Sequence, residues 1–74
     1  MRVSAVVPTK NEAGGIVGIV EALRPVVDEI LVVDGHSVDG TREAAKAAGA
    51  RVLLDHGKGK GDAYRVGIQN ASGD

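Results

Sequence analysis

Cysteine, phenylalanine and tryptophan are absent from these 74 residues, and one tyrosine is the whole aromatic complement. Without cysteine there is no disulfide framework and no thiolate metal site. Without large aromatics the core must be built from Val, Ile, Leu and Ala. A chain of this length buries only about 60–65% of the surface its unfolded form exposes, so that core is small. No excess of either charge is present: nine Lys plus Arg stand against ten Asp plus Glu, for a net charge of −1. A nucleic-acid partner, which calls for a basic face, is therefore not expected. No apolar run approaches the roughly 18 residues that cross a bilayer, and the N-terminus shows no signal-peptide pattern. The expected location is cytoplasmic.

What is present is an alternation of strand-like and helix-like segments. Arg2–Val7 reads as a first strand, closed by Pro8, which offers no ladder donor. Asn11 is placed to cap a helix with apolar positions Ile16, Ile19, Val20 and Leu23. Gly14, Gly15 and Gly18 weaken that helix by about 1 kcal/mol each relative to alanine, and Pro25 stops it near Arg24. Glu29–Asp34 is a second strand. Its four consecutive apolar residues, Ile30 to Val33, suit a strand covered on both faces of a parallel sheet. Asp39 is an N-cap candidate for a helix through Ala48, and Gly49 is placed as its left-handed stop. Arg51–Leu54 is a third strand, Gly57–Gly61 a glycine-lysine loop, and Asp62–Ala71 a third helix. Strands joined by helical segments indicate βαβ units with right-handed crossovers. The prediction is an α/β fold, βαβαβα, with parallel strands in the order 3-2-1. The loops after Val7, Val33 and Leu54 then meet at the carboxyl edge, where open α/β sheets bind ligands.

Each of those loops carries polar residues. In Pro8-Thr9-Lys10-Asn11-Glu12, Thr9 and Glu12 are positioned to reach a nucleotide; equally, Asn11 serves as a cap and Glu12 complements a helix dipole. In the second loop Asp34 is the stronger candidate ligand-binding residue, because it ends a buried strand and no helix requires it there. His36 stands alone, with no second His or Cys at metal-ligand spacing, and receives no chemical role. In Gly57-Lys58-Gly59-Lys60-Gly61-Asp62, glycines admit an anion to backbone amides at a helix N-terminus, and a diphosphate is the natural guest. The dinucleotide fingerprint fails, with Asp62 or Tyr64 at the last glycine position, and the P-loop fails because Gly61 follows Lys60. Arg65 and His56 are solvent-facing or turn towards the same edge.

Taken in order, Val6-Val7-Pro8-Thr9-Lys10-Asn11-Glu12, Val32-Val33-Asp34-Gly35-His36-Ser37-Val38-Asp39-Gly40-Thr41, Gly57-Lys58-Gly59-Lys60-Gly61-Asp62-Ala63 and Ala71-Ser72-Gly73-Asp74 resemble the start of a family 2 inverting glycosyltransferase. The likeness is greatest to the dolichyl-phosphate mannose or glucose synthase group. It implies the nucleotide-binding half of a GT-A (Rossmann-like) domain over residues 1–74. By the resemblance, Pro8, Thr9, Glu12, Asp34, Lys60 and Gly61 bind a nucleotide-sugar donor, with Asp34 contacting the base. No catalytic residue and no metal ligand falls within the chain. The family's Asp-x-Asp motif, which holds a divalent metal (Mg or Mn), is expected beyond Asp74.

The resemblance further implies transfer of a sugar to an acceptor. A polyprenyl phosphate, handled at the membrane surface, is the first expectation, and a small acceptor such as phosphoglycerate the second. This chain alone is expected to bind nucleotide without turnover. Its first strand, with one edge unpaired, invites self-association. Two other readings are a non-catalytic Rossmann-type nucleotide-binding module and a nucleotidyltransferase. The latter usually carries its basic glycine loop after strand one, not after strand three as here.

Overall fold

A computed structural model describes residues 2–57 and 60–71, with Lys60 described by its backbone alone. The order is β1 (Ser4–Thr9), α1 (Ile16–Leu23), β2 (Glu29–Asp34), α2 (Thr41–Ala47), β3 (Arg51–Leu54) and α3 (Lys60–Asn70). The strands form one parallel sheet with β2 between β1 and β3. This is the expected α/β architecture and strand order, and β2 and β3 have the bounds expected from sequence.

The apolar run of β2 is divided between two layers by the alternation of side chains along a strand. Ile30 and Val32 face α1 and α2, packing with Ile16, Val20, Ala45 and Ala50. Val33 faces α3, packing with Ala63 and Val66 and with Val6 and Leu53 of the flanking strands. Helix α3 lies close enough to β1 that a Cβ on Gly67 would sit 2.3 Å from Val6 Cγ1. Only glycine fits there.

Four local expectations are corrected. Pro8 does not close β1: it pairs in register with Val33, and Thr9 pairs with Asp34. The bonds from Glu29 N to Val3 O and Gly35 N to Thr9 O turn the odd-numbered residues of β1 towards β2. Pro8 nitrogen therefore faces the outer edge, where no strand among the described residues asks for a donor. Asn11 does not cap α1, whose N-cap is Gly15 with no side-chain bond. Asp39 lies one residue before the N-cap of α2, a position taken by Gly40 at φ 87°. Lys60 and Gly61, expected in a loop, begin α3; Lys58, Gly59 and the side chain of Lys60 lie outside the described residues. Gly49 does stop α2, at φ 105°. Its N–H bonds Lys46 O and that of Ala50 bonds Ala45 O, the paired bonds of a Schellman stop.

Candidate functional site

The parallel sheet delivers all three strand ends to one edge, and there the first two loops are sewn together. Thr9 Oγ1 donates to Asp34 Oδ1 at 2.8 Å. Lys10 Nζ donates to Gly35 O at 2.6 Å. The N–H groups of Asn11, Glu12 and Ala13 donate in turn to Ser37 Oγ, Thr41 Oγ1 and Asp39 Oδ2, and Val38 N–H returns a bond to Asn11 Oδ1. The polar residues that looked like helix caps are the two halves of this clasp. Asn11 adopts φ 52° to take part in it.

Asp34 is the anchor. Its side chain is fully buried, and it accepts from Thr9, from the hydroxyl and N–H of Ser37 (2.6 and 2.7 Å) and from Arg42 Nη1 (2.9 Å). Burial pushes its carboxyl up, but the bonds from Ser37, Thr9 and Arg42 together outweigh burial and hold it below its ordinary value of 3.8. Asp39 is likewise lowered, first by the Thr41 hydroxyl, against partial desolvation, with further help from the N–H groups of Ala13 and Thr41. Both are carboxylates at neutral pH.

Above this clasp lies a cleft of about 780 Å³. The first loop lines it with Pro8, Thr9, Lys10 and Glu12, the second with Gly35 and His36, the third with Asp55 and Gly57, and Val7, Ile19 and Ala63 form its apolar wall. Asp55 is buried, and one of its carboxylate oxygens accepts from Gly57 N–H at 2.8 Å. His36 Nε2 lies 3.0 Å from Asp55 O, tying the second loop to the third. Behind the cleft Asp62 accepts from the backbone N–H and the Nδ1 of His56.

The sequence-predicted residues divide. Pro8, Thr9 and Glu12 line the cleft. Asp34 lies beneath it with its acceptor oxygens already engaged, and Gly61 sits in the first turn of α3, off the lining. Arg65 is off the lining and 64% exposed, with Nη2 3.7 Å from Asp62 Oδ1. Lys10, His36 and Asp55, which carried no assigned role in the sequence, also line the cleft, and so does Gly57, which opens the loop expected to admit an anion. For Asp55 a signal existed, since it follows β3 as Asp34 ends β2. No group of three His, Cys, Asp or Glu side chains among the described residues is placed to hold a metal ion.

Comparison with known proteins follows the same lines. The family model for glycosyl transferase family 2 matches residues 4–74. A glycosyltransferase of Haloferax volcanii, AglJ, is 45% identical over 67 residues, which is 85% of this chain and 21% of that protein. Glucosyl-3-phosphoglycerate synthase of Mycolicibacterium smegmatis is 42% identical over 55 residues, 69% of this chain and 18% of that protein. Among solved structures, mannosyl-3-phosphoglycerate synthase from Rubrobacter xylanophilus superimposes with a TM-score of 0.92 at 35% identity, over 100% of this chain and 29% of that one. Glucosyl-3-phosphoglycerate synthase from Mycobacterium tuberculosis, in complex with Mn²⁺, UDP and its product, gives 0.87 at 34% identity, over 99% of this chain and 31% of that one. The chain thus spans about a fifth of the curated relatives it matches and under a third of the solved ones. By sequence and by its parallel βαβαβα fold, it belongs to glycosyl transferase family 2.

Proposed function

We propose that this chain supplies the donor-nucleotide site of a glycosyltransferase that takes its sugar from a nucleoside diphosphate. The observation that carries this reading is the convergence of all three carboxyl-end loops on one cleft, with Thr9, Glu12, His36 and Asp55 offering polar groups and Lys10 a cation. Glucosyl-3-phosphoglycerate synthase from Mycobacterium tuberculosis, which superimposes on this chain, is solved with UDP or UDP-glucose. Pro8, Thr9 and Glu12 are the direct donor contacts. Asp34 acts by fixing Thr9 and the second loop. The N-terminal turn of α3, with Lys60 and Gly61, is the place for the diphosphate, since the amino end of a helix favours an anion.

A small phosphorylated acceptor is favoured over a polyprenyl phosphate, because relatives of this fold are solved with phosphoglyceric acid or glycerol 3-phosphate. The dolichyl-phosphate synthase likeness has no comparable support. No helix among the described residues is long and apolar enough to cross a membrane. The described side chains do not by themselves fit a divalent metal. A metal of the kind those relatives hold would take its carboxylates from elsewhere in the protein. The outer edge of β1, with no strand beside it among the described residues, supports pairing with a further strand or with a second copy.

Thermal melting against UDP, GDP and their sugar conjugates, with Mn²⁺ or Mg²⁺, tests the proposal. A nucleotide at a hundred times its Kd stabilises the folded form by about 2.7 kcal/mol. For a domain of this size that raises Tm by on the order of 10 °C. No shift with any nucleoside diphosphate overturns it.

A further inference from the structure

We propose that His36 reads the nucleoside of the donor, accepting a hydrogen bond from it on Nδ1. The inference rests on the donor-site reading above and names the residue that gives that site its nucleoside contact. Four observations carry it. First, His36 is held at φ 63°, in the left-handed region that non-glycine residues adopt uncommonly, histidine more readily than most. Such a residue persists where the surroundings enforce it, and such sites cluster at ligand clamps. Second, its Nε2 lies 3.0 Å from the main-chain oxygen of Asp55. A carbonyl only accepts, so Nε2 carries the proton, and in the neutral ring Nδ1 is then a bare acceptor. Third, among the described residues Nδ1 has no partner, while the side chain is 54% exposed on the lining of the cleft. Fourth, Asp34, the carboxylate expected to meet the base, is wholly buried and filled with internal donors. The second loop therefore has one free side-chain acceptor on the cleft, and it belongs to His36. The matching ligand group is a donor on the nucleoside, either an N–H of the base or a hydroxyl of the ribose.

Calorimetric titration of the protein carrying this chain, with whichever of UDP and GDP binds more tightly, tests the assignment. His36→Gly removes the acceptor and suits φ 63°, and that backbone relief offsets the lost Nε2 bond to Asp55 O, so its thermal midpoint should stay near that of the parent. Its affinity should fall about 5- to 10-fold, the worth of one hydrogen bond. His36→Asn tolerates the same backbone and keeps a side-chain acceptor, and should recover part of the loss. Two analogues separate the sources: a nucleotide methylated at the base N–H, and a 2′-deoxy nucleotide. One of them should bind the parent 5- to 10-fold more weakly yet bind His36→Gly as the natural nucleotide does. Equal affinity of parent and His36→Gly overturns the proposal while sparing the donor-site reading. So does an equal loss for the nucleotide and both analogues, which marks a merely structural role. Failure of the parent protein to bind either nucleotide overturns the reading and this inference together.

Discussion

Two glycines show how differently one residue type is used. Gly67 lies where α3 meets β1, and a methyl group there collides with Val6 and presses on Val33 Cγ2 at 3.2 Å. Gly67→Ala should lower stability by about 2 kcal/mol, as forced overpacking does. Gly18, inside α1, has nothing within 4 Å of its Cβ position, and Gly18→Ala should raise stability by about 0.5–1 kcal/mol. Denaturant melts of the two variants check both signs. Asp34 sets an acid limit. Its folded-state pKa lies below the ordinary 3.8, so its contribution is complete above that value and disappears as pH falls through the lower folded value. Asp34→Asn should cost about 3 kcal/mol at pH 7, because Arg42 and several donors lose a buried carboxylate. The gap between variant and parent should close below pH 3.8, and urea midpoints taken across that range read it. At this scale the sequence was informative about residue type and ambiguous about partner. Asn11 and Asp39 stand just before helices and carry short oxygen-bearing side chains, which is all a cap requires. Asn11 Oδ1 and Asp39 Oδ2 instead take N–H groups 27 and 26 residues away, which no local pattern reports; Asp39 Oδ1 does bond locally, to Thr41 two residues on.

Among the elements, β2 and β3 were legible because an apolar run bounded by polar residues has no other low-energy use in a parallel sheet. Helix α1 was legible at its end, where Leu23 and Arg24 precede Pro25. Its beginning was not, since turn bonds to Glu12 O rather than a side chain launch it. The first turn of α3 was hidden by glycines that read as loop. The loops themselves behave as one unit. Thr41, fully buried, accepts from Glu12 N–H at 2.8 Å while its hydroxyl donates to Asp39. Thr41→Val keeps the shape but strands that N–H, and should cost about 1–3 kcal/mol. Hydrogen exchange gives the sharper readout: the Asn11, Glu12 and Ala13 amides should exchange faster together, while those of β2 keep their protection relative to global unfolding.

Over the whole molecule the Cα radius of gyration is 11.2 Å, close to the roughly 11 Å expected for a compact chain of this length. Fold class, strand order and the edge on which the cleft opens followed from the alternation of elements alone. The division of labour within the cleft did not, because burial decides it. A carboxylate at a strand end reads the same in sequence whether it meets a ligand or lies beneath the floor.

The parallel register of β1 on β2 offsets partners by 25 residues throughout, and the bonds that stitch the two loops span nearly the same distance. Closing that long connection is an entropic charge met once, when the strands zip. Thereafter the loop bonds form at high effective concentration and little added cost. The pocket should consequently be among the last features to set during folding and should take shape abruptly, with no half-built form in which one loop awaits the other.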